Sequence, residues 1–296
     1  MLSFLNIVIV GLLLGGIYGL VSMGLNLIFG VIRIVNFSQG ELVMLGMYGA
    51  YLSWFFLGLD PYLSSIIVVP LLFLLGVVLQ RFILQPLQNE PFMQIFATFG
   101  LLMFFQNLVL AITGGTGYSV RSAASSAVIT MGEINVSLPR LIVLIAVIVV
   151  ALGLNWFVTH TMPGKAVRAV TQDRRSARLM GINVELAFML TFGAGAALAG
   201  LAGVMLAPIY TLSPQIGGNF ILAAFAVVVL GGLGSVWGAF FGGFIIGLVE
   251  AFAGYYFDPA LKHAIWFLIF IIVLIVRPGG LFGIAGAEEM GLREQD

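Results

Sequence analysis

The residues of this chain that could take part in chemistry are few, and no group of them has a catalytic arrangement. Gly164 and Lys165 supply the end of a phosphate-binding loop, but Thr159 stands where that loop needs its first glycine, and Ala166 stands where it needs a magnesium-binding hydroxyl. No His, Asp or Glu cluster has metal-ligand spacing, and no two residues resemble an acid-base pair. The sequence therefore predicts that this chain neither hydrolyses ATP nor binds a metal or cofactor.

Polar residues concentrate in one interval, 159–185, which carries five of the twelve Lys and Arg residues. Pro163 can occupy the first turn of a helix, and Gly181 is a suitable stop. Asn183 can then cap the next helix, with Glu185 in its first turn. The interval predicts one short amphipathic helix over 163–181, ordered so that it docks onto a partner. Its proposed docking residues are Lys165, Arg168, Asp173, Arg174, Arg175, Arg178 and Gly181.

The composition places the rest of the chain in a membrane. Hydrophobic residues make up 61% and charged residues only 8%, with a mean hydropathy of +1.16, whereas soluble domains carry about 25% charged residues. The chain is predicted to be an all-α, polytopic integral membrane bundle of about eight or nine hydrophobic segments, forming one domain over 1–296. Membrane lipid is its expected surrounding, and no nucleic-acid partner is expected.

Two predicted spans carry small residues at every fourth position, a pattern that lets another helix approach closely. The stripes are Gly11, Gly15 and Gly19 in the first span, and Gly195, Ala199, Gly203 and Ala207 in the span after the polar interval. Basic residues at Arg81 and in the interval 159–185 assign these loops to the cytoplasm. Counting the crossings places the N-terminus outside, and Arg277 and Arg293 predict a cytoplasmic C-terminus.

Two hydrophobic runs are interrupted, near 33–41 by polar residues and near 231–238 by glycines. Glu41 should face protein, water or a partner charge such as Arg33, because a charge within a span costs about 3 kcal/mol. Discontinuous helices often border a translocation path, although an interfacial position for the first break and simple packing for the second are alternatives. The candidate path residues are Asn36, Ser38, Gln39, Glu41, Gly46, Phe225, Gly231, Gly232, Gly234 and Ser235.

Three motifs resemble the permeases of branched-chain amino acid ABC importers, the LivH type. They are AVRAVTQDRRSARLMGINV at 166–184, RIVNFSQGELVMLGMYGAY at 33–51 and RPGGLFG at 277–283. The resemblance implies that the interval 159–185 is the coupling loop of such a permease. A basic loop that serves only to orient the chain in the membrane is the alternative.

The resemblance also implies partners and a location. The partners would be a second related permease subunit (LivM-like), two cytoplasmic ATPase subunits (LivG- and LivF-like) that use ATP and Mg, and a periplasmic solute-binding protein. The location would be the bacterial inner (plasma) membrane. The cargo would be leucine, isoleucine and valine, or another amino acid, an amide or urea.

A second hypothesis is an ion-coupled secondary transporter of a small solute. Such a protein should carry ionisable residues in the middle of its spans, where only Glu41 and Glu250 qualify. A third hypothesis is a passive channel, but the sequence contains no duplicated polar motif that would line a pore. The importer subunit needs only a solute path and a cytoplasmic docking surface, without a nucleotide site of its own, and the sequence supplies both.

Overall fold

The computed structural model describes residues 2–120, 122, 127–131, 134–257, 261–277 and 279–282. These residues form eleven α-helices and one short β-hairpin. The helices are α1 Leu2–Ile32, α2 Gln39–Leu57, α3 Ser65–Leu79, α4 Pro91–Thr113, α5 Leu138–His160, α6 Met162–Gln172, α7 Arg174–Leu179, α8 Val184–Leu206, α9 Ile216–Gly231, α10 Val236–Tyr256 and α11 Lys262–Val276. The strands are β1 Val128–Met131 and β2 Ile134–Ser137, and a π-turn at Gln80–Leu84 with a 3₁₀ turn at Gln85–Leu87 extends α3.

The helices confirm a polytopic membrane bundle. Seven are long and apolar enough to cross a membrane, and α9 and α11 are shorter apolar helices, so the total of nine agrees with the predicted eight or nine segments. Of these seven, helix α8 is the most enclosed, with 61% of its apolar window buried, whereas α5 has only 17% buried. We conclude that α8 lies in the centre of the bundle and that α5 lies at its surface.

Helix α1 runs antiparallel to α10 at very short distance. Gly11 faces Leu248, whereas Gly15 faces Phe244, where a Cβ atom on the glycine would lie only 2.6 Å from the Phe244 Cα. A Cβ atom on Gly247 would lie 2.2 Å from the Gly15 nitrogen. The small residues predicted to form a stripe in the first span therefore line the contact between α1 and α10, as expected for closely packed helices.

The second predicted stripe packs α8 against its neighbours. Gly195 faces Ile28 of α1, and Gly203 faces the Val43 carbonyl of α2. Ala199 and Ala207 of the same stripe are buried. Helix α8 thereby joins the first half of the chain to the second.

Both predicted helix breaks are present. Helix α1 ends at Ile32, and Arg33 adopts a positive φ of 62°, so the chain turns away before α2 begins at Gln39. The Gln39 N–H donates to the Asn36 carbonyl (3.3 Å), which starts the new helix. The first break thus covers 33–38, and Glu41 lies in the first turn of α2 instead of in the break.

The second break, at 232–235, is stabilised by an amide from α1. The Asn26 Oδ1 accepts a hydrogen bond from the Gly234 N–H (2.6 Å), and its Nδ2 donates to the Ser235 carbonyl. Gly232 and Gly234 have φ values of 105° and 83°, a region that only glycine enters at low cost. Ser235 then caps α10 by accepting from the Gly238 N–H (3.1 Å). One side chain therefore satisfies two backbone groups that the break leaves unpaired.

The described part of the C-terminal motif, 277 and 279–282, lies beside the same break. The backbone N–H groups of Leu281 and Phe282 donate to the carbonyls of Leu230 (2.8 Å) and Gly231 (3.0 Å). Pro278 and Gly283 of this motif lie outside the described residues, as does Arg293, on which the prediction of a cytoplasmic C-terminus partly rests.

The contact between α1 and α10 predicts that alanine substitutions at two glycines of α10 have different effects on stability. Gly247→Ala should lower the melting temperature of the purified chain, because the new methyl meets the α1 backbone and overpacking costs about 1–3 kcal/mol. Gly254→Ala, where a Cβ atom would meet nothing within 4 Å, should leave it unchanged. Equal melting temperatures for the two variants in the same detergent would contradict this packing.

The Asn26 contacts predict a second loss of stability. Asn26→Leu keeps a similar volume but leaves the Gly234 N–H and the Ser235 carbonyl without partners, at a cost of about 1–3 kcal/mol. Asn107→Leu is the control, because Asn107 is an exposed amide that only donates within its own helix, to the Met103 carbonyl (2.8 Å). Thermal unfolding should distinguish them, and an Asn26→Leu chain as stable as Asn107→Leu would show that Asn26 does not stabilise the break.

Candidate docking loop and helix breaks

The polar interval begins as predicted. The Thr161 hydroxyl accepts a hydrogen bond from the Gly164 N–H (3.1 Å) and caps α6, with Pro163 in the first turn. Gly164 lets the first turn of α6 lie against the last turn of α5, since a Cβ atom there would lie 2.1 Å from the Phe157 carbonyl oxygen. The start of this interval, 159–185, which we call the docking loop, is therefore held against the end of α5.

The predicted single helix over 163–181 is wrong, because the chain forms two helices with Asp173 between them. Asp173 is extended (φ −154°, ψ 111°), which ends α6, and its carboxylate caps α7 by accepting from the N–H groups of Arg175 (2.8 Å) and Ser176 (3.0 Å). A hydrogen bond from the Ser176 hydroxyl is the main reason why the pKa of the Asp173 carboxyl lies below its ordinary value. The hydrogen bond from the Ser176 backbone N–H lowers this pKa further. The cap is therefore ionised at neutral pH.

The predicted stop at Gly181 is confirmed. Gly181 has φ 81°, its N–H donates to the Arg178 carbonyl (3.0 Å), and the Ile182 N–H donates to the Ala177 carbonyl (3.0 Å). This pair of bonds is the Schellman motif, which satisfies carbonyls at a helix end and requires the left-handed conformation. Asn183 then caps α8 through the Leu186 N–H (2.9 Å), as predicted.

The surface of this docking loop combines positive charge with exposed apolar side chains. Leu179 is 82% exposed and Met180 is 81% exposed, directly before the Gly181 turn. Four basic side chains on the same loop are also exposed, namely Lys165, Arg168, Arg175 and Arg178. Arg178 pairs with Glu185 (2.6 Å), but both side chains are solvated, so the pair contributes little to stability. The loop therefore presents a solvated basic surface with an apolar tip.

Arg174 differs from the other predicted docking residues, because it faces the body of the protein. Its Nη2 donates to the carbonyl of Ile32 (2.9 Å), the last residue of α1, and its guanidinium lies 5.0 Å from the centre of the Phe188 ring of α8. The sequence did not distinguish this arginine from its neighbours. The structure places it between the docking loop and the first break.

The polar residues of the first break are paired with one another and with the protein. The Ser38 hydroxyl donates to the Asn36 Oδ1 (2.7 Å), and the Asn36 amide donates to the Gln39 Oε1 (3.2 Å). Gln39 in turn donates to the Gly195 carbonyl of α8 (3.3 Å). Thr98 of α4, which the sequence analysis did not select, accepts from the Phe37 N–H (3.3 Å). The break is thus a buried, hydrogen-bonded turn.

Glu41 is enclosed by protein, since only 2% of its surface is exposed. A Cβ atom on Gly217 of α9 would lie 2.8 Å from its Oε1, so α9 covers this carboxylate. Its Oε2 has no hydrogen-bond partner among the described residues. Glu41 therefore faces protein, as expected, and its satisfaction by a protein group or water stays a prediction.

The structure brings the two predicted path segments together but buries some of their residues. The Phe37 ring of the first break lies 5.3 Å from the Phe225 ring of α9, and Gly30 of α1 packs on Gly234 of the second break. Gly46, in contrast, packs against Gly200 of α8, where a Cβ atom would lie 2.5 Å from the carbonyl oxygen. Gly231 and Gly232 are buried, whereas Phe225 and Ser235 are half-buried and Gly234 is exposed.

Comparison with known proteins identifies the family. Residues 7–274 match the family model described as branched-chain amino acid transport system / permease component. The chain is 30% identical to the high-affinity branched-chain amino acid transport system permease protein LivH of Salmonella typhimurium, over 98% of both chains. It is 29% identical to LivH of Escherichia coli over the same shares, and 30% identical to BraD of Pseudomonas aeruginosa over 97% of this chain and 98% of BraD.

No solved structure matches the chain. The family model nevertheless covers most of the chain, and the relatives match it almost from end to end. This agreement supports an ABC importer permease over an ion-coupled secondary transporter. The chain belongs to the family of permease components of branched-chain amino acid transport systems, and it is a multi-pass membrane protein.

Proposed function

We propose that this chain is the permease subunit of an ABC importer that moves branched-chain or similar amino acids across the bacterial inner (plasma) membrane. The match over almost the full length to LivH and BraD carries this proposal. The whole chain, 1–296, acts as one permease domain, with 159–185 as its coupling loop. It binds no nucleotide itself and is not an enzyme on its own, because ATP and Mg are used by separate ATPase subunits.

The partners follow from the family. A second, LivM-like permease pairs with this chain, LivG- and LivF-like ATPase subunits bind on the cytoplasmic side, and a periplasmic solute-binding protein delivers the cargo. The docking loop is the surface for one ATPase subunit. Its apolar tip, Leu179 and Met180, enters a groove of that subunit, since apolar anchors in pockets supply most binding energy at an interface. The surrounding arginines orient the contact, as charges at an interface rim do.

Arg174 links the docked loop to the first break. Because its guanidinium bonds to the Ile32 carbonyl and covers Phe188, a displacement of α7 moves the end of α1 and α8 with it. The path lies between the first break with α2 and α9 with the second break, where Phe225, Gly234 and Ser235 are the accessible candidates. Gly46 and Gly231 serve this path indirectly, by letting the bordering helices pack closely.

The Gly181 turn tests the docking assignment. Gly181→Val should reduce both co-purification of the ATPase subunits and ATP-driven leucine uptake by the reconstituted complex, because a β-branched residue disfavours the left-handed conformation. Gly181→Asn is the matched control and should retain more of both, since asparagine tolerates this conformation. We expect the difference in uptake to be about fivefold or more, the factor for 1 kcal/mol of strain.

Two results would contradict these assignments separately. Equal uptake and equal ATPase co-purification by Gly181→Val and the wild type would exclude the docking role of the loop. Absence of ATP-driven uptake of leucine, isoleucine and valine by the wild-type complex would exclude the proposed cargo.

A further inference from the structure

The first turn of α9 packs against the first turn of α2, backbone to backbone. A Cβ atom on Gly217 would lie 2.7 Å from the Gly40 carbonyl oxygen and 2.8 Å from the Glu41 Oε1. One turn further along α9, the Ile221 Cβ lies 3.1 Å from the position of a Cβ atom on Gly40, and Ile221 is buried. We call these contacts the α2–α9 contact. Because α2 and α9 border the proposed path, the α2–α9 contact closes that path in this structure.

Glu41 has an unpaired oxygen at the α2–α9 contact. Its Oε2 is closed off from water and has no hydrogen-bond partner among the described residues. No basic side chain in the described part of the chain forms an ion pair with its carboxylate. A buried polar atom without a partner carries the full cost of its desolvation, whether the carboxyl group is ionised or protonated. Closing the α2–α9 contact therefore costs free energy at Glu41.

The N-terminus of α9 offsets only part of this cost. The partial positive charge of a helix N-terminus attracts a carboxylate. Two N–H groups of this first turn, those of Ile216 and Gly218, already donate to the carbonyls of Ser213 and Gln215 (both 3.1 Å), which leaves fewer of them to attract Glu41. The attraction is weaker than the cost of an unpaired buried charge. An uncharged side chain at position 41 should therefore stabilise the closed arrangement.

A cavity on the other side of α9 gives its first turns room to move away from α2. The cavity has a volume of about 660 Å³, and Asn219, Leu222 and Ala223 line it from the face of α9 that points away from α2. The residues directly before α9, 207–215, form no helix. The start of α9 can therefore tilt into the cavity without breaking another helix.

We propose that the α2–α9 contact is a gate of the solute path and that Glu41 is the positioning residue that favours its opening. When the start of α9 moves into the cavity, water reaches the Glu41 carboxyl group and supplies the partner that this group lacks in the closed arrangement. Glu41 thereby keeps the closed and open arrangements close in free energy, so that a movement of the docking loop can shift one to the other. The proposal rests on the proposed function, which supplies the path and that movement.

Two substitutions of Glu41 test its part in the gate. Glu41→Gln keeps the shape of the side chain and removes its charge, whereas Glu41→Met removes both polar atoms. Both should raise the melting temperature of the purified chain in nanodiscs by about 2 °C or more, because the closed arrangement loses its buried unpaired charge. Both should lower ATP-driven leucine uptake by the reconstituted complex about fivefold, the factor for 1 kcal/mol. A side chain that only stabilised the fold would instead lower both quantities when replaced.

A single cysteine reports the opening of the gate directly, since the chain contains no cysteine of its own. Ile221→Cys should react slowly with a water-soluble maleimide in the resting complex and several-fold faster during ATP hydrolysis. Adding Glu41→Gln should remove most of this increase. Ala253→Cys, at a position on α10 that is 2% exposed, should stay unreactive in every background, which excludes general unfolding as the cause of labelling.

Two adjacent glycines provide the opposite change and its matched control. Gly217→Ala places a methyl group against Gly40 and Glu41, so it should push α9 off α2 and speed the labelling of Ile221→Cys several-fold without ATP. Gly218→Ala, where a Cβ atom would meet nothing within 4 Å, should leave the labelling as slow as in the parent.

The outcomes separate the gate from the proposed function. Labelling of Ile221→Cys that is the same with and without ATP, Glu41→Gln or Gly217→Ala would overturn the gate, and leucine uptake by the wild-type complex would still support the function. A Glu41→Gln chain less stable than the wild type would also overturn the gate, in favour of a structural role for Glu41. The expected labelling and stability, without uptake of leucine, isoleucine or valine by the wild-type complex, would support the gate and contradict the proposed cargo.

Discussion

The constraint on which this structure depends is that backbone N–H and C=O groups within a membrane must be paired inside the protein. Helices satisfy it along the spans, whereas the two breaks, 33–38 and 232–235, need other partners. Asn26 supplies them at the second break. A buried turn around Asn36 supplies them at the first, and Arg174 pairs with the carbonyl where α1 ends. At each break, a side chain from another helix pairs with backbone groups of the break: Asn26 at the second, and Thr98, which accepts from the Phe37 N–H, at the first.

These partners bring the three sequence motifs to one end of the bundle. Arg174 joins the docking loop to Ile32, the residue directly before the first break, and Leu281 and Phe282 pair with the end of α9 beside the second break. Gly30 packs on Gly234, so the two breaks lie on either side of the end of α1. In the proposed assembly, an ATPase subunit that moves the docking loop would act directly on the elements that border the proposed path.

The sequence predicted those features that depend on local chemistry. Hydropathy located the spans, small residues at every fourth position located the close helix contacts, and glycine with a positive φ ended α7 as expected. The features that the sequence did not predict depend on contacts between distant residues or on competing local hydrogen bonds. The inward direction of Arg174 depends on Ile32, and the division at Asp173 arises because its carboxylate bonds the backbone of α7 instead of continuing α6. Gly46 looked available for the path, but α8 covers it.

The number of amino acids imported per ATP hydrolysed, measured in proteoliposomes with Arg174→Gln and Arg175→Gln permeases, tests the central claim most directly. Arg174 joins the docking loop to the end of α1, whereas the adjacent Arg175 is exposed. The account predicts that Arg174→Gln still binds the ATPase subunits and hydrolyses ATP but imports several-fold fewer amino acids per ATP, and that Arg175→Gln keeps the wild-type ratio. The same ratio for Arg174→Gln and the wild type would contradict the claim that this contact transmits the movement.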